Sequence, residues 1–290
     1  AGEIENRGIE ATLNLVPVKT NDFQWNLTGN FTRNRNEVIS LPEGTNTIQL
    51  GRFQGGVSIQ AALGEPYGVI YGTDFVYHAN GERMVDPDTG RYLITPTSNN
   101  VIGDTNPDWM MGISNAFTYK DFTLGFLIDI QHGGNVWSLD QNYGESTGLY
   151  PNSAGLNDLG NPVRAPLDEG GGFINPGVLP NGSPNNVRVD ASEFGEFGYA
   201  AMPNAAFVYD ASYVKLRQAS LTYTMPSRLL QNTFMTGIQI TVTGSNLWII
   251  DKKVPYADPE AGLSSGNLQG YLTGAMPTTK EYGLNIQVQF

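Results

Sequence analysis

The sequence has no cysteine, little charge and no long apolar run. Without cysteine, its 290 residues form no disulfide framework and carry no thiolate chemistry. No apolar run approaches the ~18 residues that a transmembrane helix requires, so a helical membrane protein is excluded. The net charge of -12 at pH 7 argues against nucleic acid as a partner, because phosphate binding needs clustered Lys and Arg.

The scarce charge is replaced by neutral polar residues. Charged residues make up 15% of the chain, against about 25% in typical soluble domains. Asn, Gln, Thr, Ser and 35 Gly residues fill their place, and the mean hydropathy is only -0.26. No nucleophile–base pair, paired carboxylates or nucleotide-binding loop stands out, so we predict neither a catalytic residue nor a cofactor, and the protein is not expected to be an enzyme.

Alternation of apolar and polar residues recurs along the chain and predicts β-strands. From Tyr282 onward, EYGLNIQVQF alternates without exception. Within SYVKLRQASLTYT the apolar residues change from even to odd positions between Leu216 and Ala219. This change indicates either a β-bulge or a strand whose first half lies above the apolar zone. Seven strands are predicted, near 8–18, 22–34, 109–119, 121–131, 212–224, 237–247 and 278–290.

The connections between these strands alternate in length. Three are short, whereas the segments near 35–108, 132–206 and 248–276 are long. Short turns at one end and long loops at the other are typical of an outer-membrane β-barrel with a periplasmic C-terminus. Seven strands do not close such a barrel. We therefore expect residues 1–290 to be the C-terminal part of one all-β, antiparallel transmembrane barrel domain, and the start reflects either processing or truncation.

Alternate residues of each predicted strand point to opposite sides of the sheet, so the pattern predicts one apolar and one polar face. A soluble β-sandwich also has one apolar and one polar face, but its polar face usually carries Lys and Glu rather than neutral groups. We expect these residues to face the lumen: Asn26, Thr28, Asn30, Thr123, Asp129, Gln131, Thr241, Asn285 and Gln287. We expect these to face lipid or form an aromatic girdle: Phe23, Trp25, Phe117, Tyr119, Phe122, Phe126, Tyr223, Tyr282 and Phe290.

The long loops hold a few further candidates. Trp137, Tyr143 and Tyr150 lie in a Gly- and Asn-rich loop, where their rings either contact a substrate or partner or anchor the loop to itself. Asp86 and Asp88 of DPDTG bear a faint likeness to half of a calcium loop, but Pro and Gly make a tight turn the better interpretation. No metal site is predicted.

Several motifs, in order, resemble the late barrel of the SusC/RagA-type TonB-dependent outer-membrane transporters. They run along essentially the whole chain: GIE, WNLTGNFTRNRNEV, GEPYGVIYG, VIGDTNPDWMMGISNAFTYKDFTLGFLIDIQHGG, FVYDASYVKLRQASLTYTMP, VTGSNLWI and PTTKEYGLNIQVQF. One departure is that the stretch before VIG is less acidic than in many members of the family, so the resemblance implies no ion there.

The resemblance implies a 22-stranded barrel whose plug and TonB-contacting segment are absent from this chain. It implies import of a large nutrient, an oligosaccharide or a peptide, with a SusD-like surface lipoprotein, TonB and outer-membrane lipid as partners. The alternatives are another outer-membrane barrel, such as a porin or an adhesin, and a soluble carbohydrate-binding β-protein. No residue pattern in the sequence identifies the substrate.

Overall fold

The protein is all-β in a computed structural model that describes residues 2–193, 195–262, 266, 268–274, 276 and 278–290. The strands, in chain order, are β1 (Glu3–Lys19), β2 (Phe23–Ser40), β3 (Thr47–Arg52), β4 (Ser58–Ala62), β5 (Val69–Gly72), β6 (Asn100–Asp104), β7 (Trp109–Tyr119), β8 (Phe122–His132), β9 (Asn135–Ser138), β10 (Phe173–Ile174), β11 (Arg188–Val189), β12 (Val208–Asp210), β13 (Tyr213–Thr224), β14 (Gly237–Lys252), β15 (Tyr271–Leu272) and β16 (Glu281–Gln289).

Helices are short. The α-helix α1 spans Leu139–Gly144, and Ser138 caps it by accepting a hydrogen bond from the Gln141 amide. The 3-10 turns lie at Pro151–Ser153, Leu167–Glu169, Asn204–Phe207, Ser227–Leu229 and Pro259–Gly262. Among the described residues, no helix has the length and apolar character needed to cross a membrane.

Seven strands form one antiparallel sheet in the order β1-β2-β7-β8-β13-β14-β16. Each strand pairs with its neighbour along the chain once the three long loops are set aside. Short turns join the strands at one end, which we name the turn end, and the long loops leave from the other, the loop end. These loops are the first (41–108), the second (133–212) and the third (253–280).

Strand β13 contains a β-bulge. Its register shifts between Leu216 and Gln218 against both β8 and β14, so Arg217 is the extra residue. The bulge returns Val214 and Leu216 to the face that carries Ala219, Leu221 and Tyr223. Of the two interpretations of the irregular fifth strand, the bulge is therefore the correct one.

The apolar face of this sheet is open. Leu13, Phe122, Leu221, Val242 and Leu284 lie on it and are all exposed. Of the buried hydrophobic residues that the structure describes, only Val38 and Tyr213 belong to the seven strands, and both are at the loop end. The hydrophobic core of the described residues thus lies in the loops rather than under the sheet.

The long loops pack together into one loop assembly. The first loop forms a four-stranded sheet, β3-β4-β5-β6. In the second loop β12 pairs with β9, and β9 also pairs with β15 of the third loop. Trp137 is 0% exposed, and its indole Nε1 donates a 3.0 Å hydrogen bond to the Asn204 carbonyl. Around it pack residues from all three loops: Val57, Ile59, Ile70, Leu139, Phe207 and Tyr271.

Gly55 shows how closely the loops approach. Its φ is +89°, a left-handed conformation that favours glycine, and a Cβ there would lie 2.3 Å from Cη2 of Trp137. Asn204 joins the same two loops, because its Nδ2 donates to the Gly55 carbonyl at 2.7 Å and its Oδ1 accepts from the Thr73 amide at 3.0 Å. The side chains of the second loop therefore fit the backbone of the first.

Several predicted boundaries need correction. Strand β1 begins at Glu3 and β2 continues to Ser40, because the two strands keep pairing beyond the alternating segment. Strand β14 continues to Lys252, and β16 begins at Glu281. The segments predicted as loops contain eight short strands of their own among the described residues, and β12 lies just beyond the second segment. These strands form because apolar residues such as Ile59 and Ile70 need a packing partner.

The outer strands β1 and β16 each have one partner in the described part of the chain, so the sheet is an arc and not a closed barrel there. At the turn end, the ring of Phe290 stacks on Phe234 with centroids 5.5 Å apart. Residue 277, which falls just before the last predicted strand, lies outside the described residues.

Replacing Trp137 by alanine should loosen the loop assembly. The change removes the buried ring and its hydrogen bond, which should cost about 3–5 kcal/mol. We expect proteolytic cleavage within 133–212 of the purified protein to become markedly faster. Trp248→Ala is the matched control, because Trp248 is 60% exposed. Equal protease resistance of the two variants would show that Trp137 does not hold the loops.

Candidate functional site on the polar face and in the loops

The polar face of the seven-stranded sheet is a continuous surface of neutral groups. One row of side-by-side residues crosses five neighbouring strands and consists of Thr118, Thr123, Thr222, Thr241 and Asn285. All nine residues predicted to face the lumen lie on this face: Asn26, Thr28, Asn30, Thr123, Asp129, Gln131, Thr241, Asn285 and Gln287.

Side-chain hydrogen bonds run across this face. The Thr28 hydroxyl donates to Asn14 Oδ1 at 2.8 Å, and the hydroxyls of Thr118 and Thr123 lie 3.0 Å apart. Those of Thr222 and Thr241 lie 2.9 Å apart. Such groups both donate and accept, so the face offers many exchangeable hydrogen bonds and few fixed charges to a polar solute.

Five charged side chains gather at the loop end of the polar face, and we name them the ionic cluster. They are Asp129 of β8, Lys215 and Arg217 of β13, and Asp258 and Glu260 of the third loop. Lys215 Nζ lies 2.6 Å from Asp258 Oδ1 and 2.5 Å from Glu260 Oε2. Arg217 forms ion pairs with Glu260, at 2.7 Å, and with Asp129. The cluster fastens the third loop to the wall of the sheet.

Two of the five side chains of the ionic cluster are well shielded from solvent. The side chains of Lys215 and Asp258 are 5% and 3% exposed. Burial raises the pKa of Asp258 and of Glu260, but hydrogen bonds from Lys215 and Thr278 to Asp258, and from Arg217 and Lys215 to Glu260, more than offset it. Both carboxyl pKa values therefore lie below their usual range, and both groups are ionised at neutral pH.

The ionic cluster was missed at the level of sequence. The two loop acids, Asp258 and Glu260, lie in YADPEAG, which the sequence indicates only as a loop, and Asp129 was expected only to face the lumen. The available signal was in β13, where Lys215 and Arg217 interrupt an otherwise neutral polar parity at the irregular register. The bulge places Arg217 where it reaches Asp129 and Glu260.

The predicted girdle residues lie on the apolar face, and most of them lie near the turn end. Phe23, Tyr119, Phe122 and Tyr223 occupy adjacent positions of neighbouring strands. Ring contacts join Trp25 to Phe117 at 5.5 Å and Phe117 to Phe126 at 6.0 Å. Tyr282 differs, because it is the second residue of β16 and pairs with Gly244 near the middle of β14, away from the turn end.

A second aromatic belt, which was not predicted from the sequence, lies at the loop end of the apolar face. Phe31 and Trp109 pack at 6.1 Å, and Trp109 stacks on His132 at 5.2 Å. Trp248 lies on the same face through its pairing with Leu216. Phe23 and Phe31, one in each belt, delimit nine residues of β2, close to the ~9–11 residues with which a tilted strand crosses a bilayer.

The aromatic loop residues have different environments. Trp137 is buried in the core of the loop assembly, so its prediction as a contact for substrate or lipoprotein is corrected, since the ring anchors the loops to one another. Tyr143 and Tyr150 are half-buried. The Tyr143 hydroxyl lies 3.3 Å from Gln54 Nε2, and Tyr150 packs on exposed Tyr256 at 4.8 Å.

Asp86 and Asp88 lie in a tight turn. Oδ1 of Asp86 accepts hydrogen bonds from the amides of Asp88, at 2.7 Å, and Thr89, at 3.1 Å. Gly90 closes the turn with a φ of +71°. Within the described ranges, no group of three or more His, Asp or Glu side chains is arranged to hold a metal ion.

Known proteins match this chain over its full length. A TonB-dependent receptor, P3, of Formosa agariphila is 27% identical over 316 aligned positions, and the TonB-dependent receptor SusC of Bacteroides thetaiotaomicron is 23% identical over 300. A solved RagAB peptide importer in its open-open state matches 100% of the chain with a TM-score of 0.69 at 19% identity. No protein-family model matches.

The chain is similar over its whole length to TonB-dependent receptors, SusC among them, and it shares the fold of the RagAB importer. Its sheet is an arc of an antiparallel transmembrane β-barrel of that kind. The SusC-like chain spans 29% of receptor P3, 27% of SusC and 29% of the RagAB importer chain. The names of these relatives describe receptors and transporters, and none describes an enzyme.

Removing the Lys215 charge should release the third loop from the barrel wall. Lys215→Met leaves Asp258 buried without its ammonium partner, which should cost about 3–5 kcal/mol. We expect faster hydrogen exchange across 254–262 in the intact SusC-like protein. Lys253→Met is the control, because Lys253 and Asp251 form an exposed pair at 3.1 Å, which contributes about 0–1 kcal/mol. Indistinguishable exchange in the two variants would mean that the ionic cluster does not fasten the loop.

The attachment of the third loop should also depend on pH. The lowered pKa values of Asp258 and Glu260 stabilise the folded loop at a pH above the unfolded values of about 3.9 and 4.3, and this stabilisation is lost as the pH falls through the folded values. The protection factors of the amides across 254–262, which are exchange rates corrected for the intrinsic pH dependence of amide exchange, should therefore fall below about pH 4. Asp251→Asn removes an exposed carboxylate and should preserve this profile, whereas a flat wild-type profile would speak against the assignment.

Proposed function

We propose that this chain is the C-terminal barrel portion of an outer-membrane importer that takes up a large nutrient by TonB-dependent transport. The observation that carries the proposal is that the whole of this chain matches part of TonB-dependent receptors and of RagAB. The open apolar face, the neutral polar face and the folded loop assembly are what such a barrel wall requires. The reaction is transport, with no bond made or broken in the substrate.

The membrane orientation follows from the two ends of the sheet. We infer that the turn end, with Phe290, faces the periplasm and that the loop end faces outward, because short turns are periplasmic in barrels of this class. The two aromatic belts then mark the two membrane–water interfaces. Phe23, Tyr119 and Phe122 lie at the periplasmic interface, and Phe31 and Trp109 lie at the outer one. The apolar face contacts lipid, and the residues of the polar face line the lumen.

A barrel of 22 strands has a lumen too wide for strand side chains to fill, and it holds a plug. We propose that the intact protein supplies that plug, a TonB-contacting segment and the strands that pair with β1 and β16. The Thr- and Asn-rich wall then faces the plug and the passing solute. Weak, exchangeable hydrogen bonds suit passage, because a solute that binds tightly to the wall would not move on.

The nutrient is proposed to be an oligosaccharide or a peptide. RagAB is described as a peptide importer, and the neutral hydrogen-bonding face accommodates either class. A SusD-like surface lipoprotein is the proposed partner on the loop assembly, where half-buried Tyr143 and Tyr150 remain candidates for contact with it or with the substrate.

Gentle purification of the native protein tests this function. We expect a SusD-like lipoprotein to copurify in about equal amount from the outer-membrane fraction, and deletion of the transporter gene to abolish growth on the nutrient that the pair imports. The control is a strain that lacks only the lipoprotein, in which the barrel should still insert. Absence of any lipoprotein partner would refute the SusC-like assignment.

The same preparation separates the alternatives. A porin would conduct small solutes without TonB, and an adhesin would carry a passenger domain in place of a plug. A soluble carbohydrate-binding protein would stay dispersed without detergent and would be found outside the membrane fraction. Each of these results would replace the proposed function.

A further inference from the structure

Three arginines form a patch on the apolar face just beyond the outer aromatic belt. Arg33 and Arg35 follow Phe31 along β2 at intervals of two residues, so all three side chains share a face. Arg7 of β1 is directly opposite Arg35, and Ile9 is directly opposite Arg33. We name Arg7, Arg33 and Arg35 the arginine patch.

The arginine patch is unusual in a chain with so few cations. The sequence has 16 Lys and Arg among its 290 residues and a net charge of -12. Arginines that face each other across an antiparallel pair repel, and such like-charged pairs are destabilising. Three cations at neighbouring positions therefore need a reason other than strand pairing.

Neighbouring acidic side chains accept hydrogen bonds from only some of the guanidinium groups of the arginine patch. Arg7 Nε contacts Glu5, and the Arg7 side chain is 80% exposed. Arg35 Nη2 donates to Asp108 Oδ1 at 2.5 Å, and its Nη1 donates to the Pro107 carbonyl at 3.4 Å. Arg33 is exposed and forms no ion pair within the described part of the chain. Several guanidinium N–H groups thus point outward with no protein acceptor among the described residues.

The order of side chains along β1 and β2 indicates what kind of group binds next to the arginine patch. Moving towards the loop end, the face reads apolar at Ile9 and Phe31, then cationic, then acidic where Glu5 is directly opposite Glu37. Trp109 stacks on His132 one strand away, and aromatic side chains of that kind mark the lipid headgroup level. Guanidinium groups bind phosphate oxygens bidentately, so a lipid phosphate at this level would meet the patch.

We propose that the arginine patch binds the phosphate of an outer-leaflet lipid headgroup, with the acyl chains lying along Ile9 and Phe31. This inference rests on the proposed membrane placement. A free anion would gain only the charge contacts, whereas a lipid would gain those contacts and also burial against the apolar face. The site therefore favours a phosphorylated lipid over dissolved phosphate. Its function is to hold one lipid against β1 and β2.

The test uses the full-length protein, purified from the outer membrane and placed in nanodiscs. The probes are lipid A that carries its phosphates, lipid A that has been enzymatically dephosphorylated, and inorganic phosphate as a competitor. Bound lipid is counted by native mass spectrometry. We compare the wild type with a variant that combines Arg7→Gln, Arg33→Gln and Arg35→Gln. The matched control combines Lys19→Gln, Lys120→Gln and Arg228→Gln at the turn end.

The wild type and the turn-end control should retain phosphorylated lipid A at least tenfold better than the dephosphorylated form. The patch variant should lose this preference, and Arg33→Gln alone should weaken it about threefold without breaking an ion pair within the protein. Equal retention by the wild type and the patch variant would overturn the proposal, as would full displacement of the lipid by millimolar inorganic phosphate. A protein that is absent from the membrane fraction would refute the proposed function itself, which is a distinguishable failure.

Discussion

Five charged side chains at the loop end connect the two parts of this protein that the chain builds separately. One part is a wall of seven strands with an open apolar face, and the other is a loop assembly with its own hydrophobic core. Lys215 and Arg217 project from the wall, and Asp258 and Glu260 come from the third loop to meet them. The third loop in turn contributes Tyr271, which stacks on Trp137 with centroids 5.4 Å apart. The ion pairs thus attach the third loop to the wall, and the pair of Lys215 with Asp258 is almost hidden from solvent.

The arrangement of hydrophobic groups is inverted relative to a soluble protein. In a soluble fold the sheet would bury one face, whereas here that face is exposed and the loops hold the core. The physical reason is that a bilayer solvates the apolar face, so the strands need no protein layer over it. Loops that emerge into water have no such solvent for their apolar residues, and they must pack on one another to bury them.

The β-bulge at Arg217 serves both parts at once. It keeps Val214 and Leu216 on the apolar face while it adds one residue to the polar side. That added residue is an arginine that reaches carboxylates on β8 and on the third loop. A regular strand would carry one cation fewer in the ionic cluster, and the loop would be held by Lys215 alone.

The sequence by itself determined the wall, because side chains alternate between the two faces of a strand with a period that can be read locally. The alternation around Asn26, Thr123 and Asn285 placed these residues on one face, and the shift of parity after Leu216 indicated the bulge. Only the tertiary structure decided how the loops pack and which residues they bury. The sequence leaves Trp137 as either a ligand contact or a loop anchor and indicates YADPEAG only as a loop, whereas in the structure the ring is buried and the two acids pair with Lys215. The partners of these residues lie tens of residues away in sequence, and no local period records which distant segments will pack together.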